Sequence, residues 1–329
     1  KFDPGPLFVA LQRAQKTLGR KRRLSFVACG AYPDSHSKSV FEDCAALLMP
    51  DVPFHHVPGG APDAVKTTLS GGDIFALPSD NVQEAFGLAP VEAMAAGLPI
   101  VASDWDGLRD TVTPETGFRV ATRSVRAEAT GPEAQGYLDG TLTYVRYMNR
   151  LSMLTAVEVA GMAEAFVALA KNGNLRRRMG AAARRRAMTE YDWSVVTPRL
   201  QDLWGELAAI RKAHAGRVRP TDGINPPAPL PMDLFAAYPT GWIDRDAARI
   251  RYCGGPEELG KIFTARRYAA LGQPAESLVT LEKLRDSLVE RGEGGATIVD
   301  LARSMRWNVL TVERSVAFFL KYGLARILS

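Results

Sequence analysis

Short apolar runs alternate with longer amphipathic segments over the first third of the chain. From Pro6 to about Val120, helix and strand signals follow one another along the sequence. The pattern predicts helices at Pro6–Leu18, Ser37–Leu48, Pro62–Ser70 and Pro90–Ala96, and strands at Leu24–Cys29, Phe54–Val57, Ile74–Leu77 and Leu98–Ala102. Alternation of this kind indicates an α/β fold with a doubly wound parallel sheet.

The middle of the chain is helical by its apolar periodicity, after an interval without a clear pattern. Residues 121–155 carry scattered glycines and aromatic side chains, and no element is predicted there. Three helices are predicted next, at Val157–Ala170, Leu175–Thr189 and Ser194–Ala213. Repeated prolines then predict a stiff linker at residues 216–231. The chain is therefore divided into a first domain at 1–215, this linker, and a smaller, mostly helical domain at 232–329.

The end of the chain has the order of a helix-turn-helix followed by a short strand. Helices are predicted at Thr297–Met305 and Leu310–Tyr322, with Ala325–Leu328 as a wing strand. Four apolar side chains would form the interior: Leu301, Val316, Phe319 and Leu320. This winged-helix-like order would read DNA through its second helix. That helix offers few side chains suited to bases or phosphates, so we favour a module that packs on the first domain or joins subunits.

Composition describes an ordinary globular protein. The 329 residues are 46% hydrophobic and 23% charged, and no apolar run is as long as a membrane span. The three cysteines are scattered, and Cys29 and Cys44, which sit in apolar surroundings, are expected to be buried free thiols in a reducing compartment. The four histidines lack the spacing of metal ligands. We therefore expect a cytoplasmic protein without a metal site.

The net charge of +5 is unevenly distributed, because arginine and lysine gather in three clusters. The clusters lie at residues 20–23, 176–178 and 184–186. We interpret them first as solvated helix faces. Anionic lipid headgroups are the functional alternative, which leaves peripheral association with the inner face of a membrane open. Nucleic acid is the weaker alternative, because the clusters lack interleaved aromatic side chains.

A strand–loop–helix unit at residues 74–96 carries the strongest functional signal. Its loop follows the carboxyl end of a predicted parallel strand, where ligands bind in open α/β sheets. Two acids lie eight positions apart, Glu84 in the loop and Glu92 in the helix. The backbone N–H groups between them approach a helix N-terminus, which suits a phosphate group. An isolated pair of glutamates is usually solvated, but this context favours a site for a sugar nucleotide.

These residues resemble the retaining, GT-B-fold glycosyltransferases of family 4. The donor-binding domain of that family carries a Glu-x7-Glu motif within a longer pattern. This chain matches the pattern at Asp73, Phe75, Pro78-Ser79, Glu84, Phe86-Gly87-Leu88, Glu92–Ala95, Gly97, Pro99 and Val101–Ser103. The resemblance extends from about Leu24 to Ala213, apart from residues 121–155. It implies hexose transfer from a nucleotide-diphosphate sugar, with UDP or GDP as the nucleotide, to a saccharide or lipid-linked acceptor.

The resemblance also implies a role for each matched residue. Glu84 would be the catalytic residue, facing the donor sugar and stabilising positive charge at its anomeric carbon. Glu92 would hold the ribose hydroxyls. The other donor-binding residues that it implies are Ser79, Phe86, Gly87, Leu88, Ala89, Gly30 and Gly60. No metal and no cofactor besides the donor substrate are implied, because backbone and basic groups can neutralise the diphosphate.

Two parts of the family pattern are missing from this sequence. The family's acceptor-binding domain is normally amino-terminal, and the chain has no room for it. Its diphosphate is gripped by an arginine and a lysine, but Lys1 stands near the arginine position and Gly5-Pro6-Leu7 offers no lysine. We therefore expect a donor-binding half that is inactive without an acceptor domain. The alternatives are a non-catalytic scaffold or regulator with a protein-binding C-terminal module, and a DNA-binding regulator that senses a nucleotide sugar.

Overall fold

The first part of the protein alternates helices with parallel strands, which confirms the predicted α/β class. The computed structural model describes residues 3–61, 63–214, 230–265 and 276–328. Up to residue 120 the helices are α1 (Gly5–Leu18), α2 (Ser35–Leu48), α3 (Ala64–Gly71), α4 (Leu88–Ala95) and α5 (Leu108–Thr111). The strands are β1 (Phe26–Gly30), β2 (Phe54–Pro58), β3 (Phe75–Leu77), β4 (Ile100–Ser103) and β5 (Gly117–Val120). Lys1 and most of the predicted linker at 216–231 lie outside the described residues.

The parallel strands pair as two groups in the described part of the chain. β1 pairs with β2, with Phe26 opposite Phe54. β3, β4 and β5 form a second group in that order. Every residue of β4 is buried, as expected of a central parallel strand whose sequence is a continuous run of small and apolar side chains. In each group the carboxyl ends of the strands lie at one edge, where the predicted loops begin.

Helix packing covers the strands with a core of aromatic and aliphatic side chains. α1 packs along α8 (Val159–Lys171), and its Phe8 is fully buried. The Phe8 ring lies edge-on to Phe26 of β1 at 5.9 Å and to Phe41 of α2 at 5.2 Å between ring centroids. These ring contacts pack α1, β1 and α2 against one another.

The interval without a sequence pattern folds into five short elements. They are β6 (Thr122–Ser124), a 3-10 turn at Ala127–Thr130, α6 (Gly131–Leu138), α7 (Tyr144–Met153) and β7 (Thr155–Val157). β6 lies between β7, which is antiparallel to it, and β8 (Gly241–Trp242), which is parallel to it. A strand from the last part of the chain therefore completes this small sheet.

Two basic helices follow α8. They are α9 (Gly173–Arg186) and α10 (Trp193–Ala213), joined by a π-helical turn at Ala187–Tyr191. α10 has no buried residue along its length. A search of the described residues finds no helix with the length and apolar character needed to cross a membrane. All three cysteines are free; Cys44 is buried, as predicted, whereas Cys29 is only partly buried.

The last part of the chain is mostly helical. Besides β8 it contains α11 (Pro231–Leu234), β9 (Arg249–Tyr252), α12 (Glu258–Ala265), α13 (Leu278–Arg291), α14 (Ile298–Met305), α15 (Val309–Lys321) and β10 (Ala325–Leu328). β10 pairs antiparallel with β9. Leu301, Val316 and Phe319 are fully buried, as predicted, and Leu320 is partly buried. The winged-helix assignment and the division at residues 216–231 stay predictions.

α15 packs into the rest of the protein instead of presenting a free face. Arg314 forms two hydrogen bonds with the Glu133 carboxylate of α6, at 2.8 and 2.9 Å. Glu313, also buried, accepts hydrogen bonds from the Arg126 backbone at 3.0 Å and from the Arg245 side chain at 2.8 Å. The two basic side chains of this helix, Arg314 and Lys321, are both buried. α15 is therefore packed against earlier segments of the chain, and the DNA-binding alternative stays a prediction.

Candidate donor site

The loop before α4 is shaped by one glycine in the left-handed region. Gly87 has φ +77°, which favours glycine, and it is the N-cap residue that immediately precedes α4. The helix starts at Leu88, two residues before the predicted start at Pro90. Pro90 is tolerated because the first N–H groups of a helix have no partner within the helix. The backbone at Phe86–Ala89 therefore forms a helix N-terminus whose side chains at Phe86 and Leu88 are exposed.

The two glutamates of the motif differ in their surroundings. Glu84 is only 8% exposed, whereas Glu92 lies on the exposed face of α4. The backbone N–H of Glu84 donates to the carbonyl oxygen of Asn81 at 3.0 Å, which closes a tight turn in the loop. Glu84 is thus not a solvated surface acid. The arrangement provides one shielded carboxylate and one accessible carboxylate on either side of the helix N-terminus.

The loop after β4 packs against the loop that carries Glu84. Trp105 is fully buried, and its indole N–H donates to the Asn81 carbonyl oxygen at 3.1 Å. Asp106, with φ +35°, turns the chain so that Gly107 lies directly against Ala85. The Glu-x7-Glu motif does not indicate that this second loop packs against the first. Trp105 and Gly107 are the sequence signal that could have pointed to it.

Gly107→Ala is expected to destabilise the protein by about 1–3 kcal/mol, because overpacking forces the backbone to shift. A Cβ at this position would lie 1.9 Å from the carbonyl oxygen of Ala85. Urea denaturation of the variant measures the change. Gly205→Ala is the matched control, since a Cβ there meets nothing within 4 Å and should be neutral or slightly stabilising. Equal stabilities of the two variants would contradict the support role.

Buried polar groups cluster at the carboxyl ends of β3 and β4. Ser79, Asp80 and Ser103 are all buried. Asp80 pairs with Lys321, the last residue of α15. Burial raises the pKa of Asp80, and the charge of Lys321 opposes that rise. Sequence reasoning missed both Asp80 and Lys321, since no local pattern joins residues so distant in the chain.

Gly30 and Gly60 lie at the carboxyl ends of the other strand pair. The Gly59 N–H donates to the Gly30 carbonyl oxygen at 2.9 Å, and a Cβ on Gly59 would lie 2.9 Å from the Gly30 Cα. His56 Nε2 lies 3.0 Å from the same oxygen, and its ring centroid is 4.5 Å from that of Tyr32. The structure thus brings Gly30 to the turn that contains Gly60. Ser79 and the residues from Glu84 to Glu92 belong to the separate β3–β5 group.

The first part of the chain is similar to a family model and to several mannosyltransferases. Residues 7–131 match the family model described as glycosyl transferases group 1. A phosphatidyl-myo-inositol mannosyltransferase from Mycobacterium leprae is 32% identical over 151 residues, 46% of this chain and 31% of that protein. A GDP-mannose-dependent monoacylated alpha-(1-6)-phosphatidylinositol monomannoside mannosyltransferase from Corynebacterium glutamicum is 26% identical over 141 residues, 41% of this chain and 28% of that protein. The matched region thus spans about a third of the length of these relatives.

Solved structures show a partial likeness. Sucrose-phosphate synthase from Thermosynechococcus elongatus is 21% identical with a TM-score of 0.42, over 64% of this chain and 44% of that chain. WaaG, a glycosyltransferase involved in lipopolysaccharide biosynthesis, is 21% identical with a TM-score of 0.37, over 59% of this chain and 42% of that chain.

Proposed function

We propose that this chain is the donor-binding half of a retaining hexosyltransferase, because residues 7–131 match the family model of the group 1 glycosyl transferases. The observation that carries the proposal is the Glu84–Glu92 unit, with a shielded carboxylate, an exposed carboxylate and a helix N-terminus between them. Such a unit offers acceptors for hydroxyl groups and donors for a diphosphate.

Each residue of the unit has a distinct role in the proposed reaction. The exposed Glu92 accepts hydrogen bonds from the ribose hydroxyls. The backbone N–H groups of Phe86, Gly87, Leu88 and Ala89 bind the diphosphate, with Ser79, Gly30 and Gly60 completing the donor site. Glu84 stabilises the positive charge that develops at the anomeric carbon as the bond to the diphosphate breaks. The donor is the sole small molecule required, with no cofactor and no metal.

The names of the relatives suggest which donor and acceptor to test first. The Corynebacterium glutamicum protein is named as GDP-mannose-dependent, and both relatives are named as mannosyltransferases of phosphatidylinositol compounds. We propose a GDP-sugar before a UDP-sugar as donor and a lipid-linked or saccharide acceptor. Acceptor binding requires a second domain. The exposed arginines of α9, such as Arg177 and Arg184, suit a peripheral contact with anionic lipids at the inner face of a membrane.

Calorimetric titration with UDP, GDP and ADP tests the donor site directly. One nucleotide should bind, and Glu92→Ala should weaken it by about tenfold or more, because hydrogen bonds to a charged group contribute about 1.5–3 kcal/mol each. Glu164→Ala removes another exposed helical glutamate, in α8, and should leave the affinity unchanged. Unchanged affinity in Glu92→Ala would refute the assignment of the ribose site.

A non-catalytic scaffold is the second candidate function, and one observation favours it. The start of α1 offers no lysine at Gly5-Pro6-Leu7, and the Tyr322 ring covers Gly5 instead, 2.9 Å from where a Cβ would stand. The same titration separates the two functions. A scaffold that keeps the fold but not the site would bind none of the three nucleotides.

A further inference from the structure

The last turn of α15 reaches the loop that precedes α4. The side chain of Lys321 has no exposed surface, and its Nζ forms an ion pair with Asp80 of that loop. The same ammonium group donates to the carbonyl oxygens of Ser152 at 3.0 Å and Thr155 at 3.3 Å. Each of its three hydrogens therefore has an acceptor, which holds the side chain in one position.

The conformation of the loop depends on this ion pair. Asp80 is 1% exposed and lies four residues before Glu84. Its Oδ1 has no hydrogen-bond partner in the described part of the chain, and the carboxylate is held by Lys321 at Oδ2, with a smaller contribution from the backbone of Asp3. A buried carboxylate that loses its cation must become protonated or move towards water. Either response would disturb the turn that carries Glu84.

Tyr322, the next residue of the chain, contacts the segment that precedes α1. The Tyr322 hydroxyl donates to the Asp3 carboxylate, and that carboxylate accepts the backbone N–H of Gly5 at 2.9 Å. Asp3 and Gly5 lie at the start of α1, where the family resemblance places the residues that grip the diphosphate. Lys321, the last residue of α15, and Tyr322, its C-cap, thus contact two segments that are far apart in the sequence, the loop before α4 and the start of α1.

We propose that Lys321 and Tyr322 are positioning residues of the donor site. They hold the loops before α1 and α4 in the arrangement that binds the nucleotide diphosphate. The inference rests on the proposed donor site and extends it to the C-terminal part of the chain, which becomes necessary for donor binding. If the C-terminal part served stability alone, another of its buried ion pairs, Arg314 with Glu133, would affect the donor site as strongly as Lys321 does.

Lys321→Met and Arg314→Met form the matched test in the full chain. Each variant removes one buried cation from α15, but only Lys321 contacts the loop of Glu84. Amide hydrogen exchange of residues 78–88 reports the loop, and calorimetric titration with GDP and UDP reports the site. Both are measured at a temperature where melting curves show every variant to be folded.

Lys321→Met is expected to raise exchange in residues 78–88 and to weaken nucleotide affinity, each by about tenfold. Arg314→Met should change both by less than about twofold. Equal effects of the two variants would overturn the inference. Faster hydrogen exchange in residues 78–88 of Lys321→Met with unchanged nucleotide affinity would overturn it as well.

If Lys321→Met does not fold, Tyr322→Phe decides the question, because it removes only the hydroxyl group that holds Asp3. Weaker nucleotide binding by this variant supports the positioning role, and unchanged binding refutes it. The proposed function fails separately, when the unsubstituted protein binds no nucleotide, and the inference then fails with it.

Discussion

Replacing Glu84 by glutamine is expected to slow sugar transfer by about 10²–10³-fold, the loss typical of removing one preorganised electrostatic group. Glutamine keeps the shape of the side chain but removes its charge. The charge acts from a position that is only 8% exposed, where water screens it poorly. Transfer is measured with the chain joined to an acceptor-binding domain, using the nucleotide that the titration identifies.

The nucleotide affinity of Glu84→Gln should stay within about twofold of the original, because the lost interaction forms mainly in the transition state. Gln83→Ala is the neighbouring control. Gln83 is exposed and hydrogen-bonds the Tyr144 hydroxyl at 2.8 Å, so its loss should leave the transfer rate nearly intact. A Glu84→Gln enzyme with normal turnover would refute the catalytic role of Glu84.

Arg314→Met is expected to lower the free energy of unfolding by about 3–5 kcal/mol, because it leaves a buried charge without its partner. Glu133 is fully buried, and Arg314 binds it in a fork while also donating to the Ala129 carbonyl oxygen at 2.6 Å. Interaction with Glu133 keeps the pKa of Arg314 raised although burial opposes it. Urea denaturation measures the loss.

Arg199→Met provides the exposed counterpart of this substitution. Arg199 pairs with Glu190 at 3.3 Å, but their side chains are 61% and 41% exposed. Exposed pairs contribute about 0–1 kcal/mol, so this variant should be close to the original in stability. Comparable losses of unfolding free energy in Arg314→Met and Arg199→Met would show that the buried pair of Arg314 with Glu133 contributes no more to stability than an exposed pair.

The elements of the first part could be predicted because their patterns are local. The strand predicted at Phe54–Val57 ends one residue later, and the helix predicted at Ser37–Leu48 ends as predicted but begins two residues earlier. The start of α4 was misplaced by two residues, since Pro90 is also tolerated inside the first turn once Gly87 takes a left-handed conformation. Residues 121–155 gave no pattern because their elements are short and are held by β8 and α15.

The candidate site was predicted in part for a similar physical reason. Glu84, Glu92 and the helix N-terminus between them lie on one continuous segment, whose residues also match the family pattern. The support from Trp105 and the ion pair of Asp80 with Lys321 join separate segments. Neither contact can be predicted from local periodicity or residue spacing.

The amino-acid sequence by itself determined the α/β class, the strand–loop–helix unit and the match of residues 7–131 to a glycosyl transferase family model. These follow from short-range patterns of apolar, glycine and acidic residues, which act over one or two turns of chain. Only the tertiary structure decided that Glu84 is shielded while Glu92 is exposed, and that α15 is buried against the loop of Asp80. Burial and ion pairing depend on which surfaces meet in space, and that is settled by the packing of the whole chain.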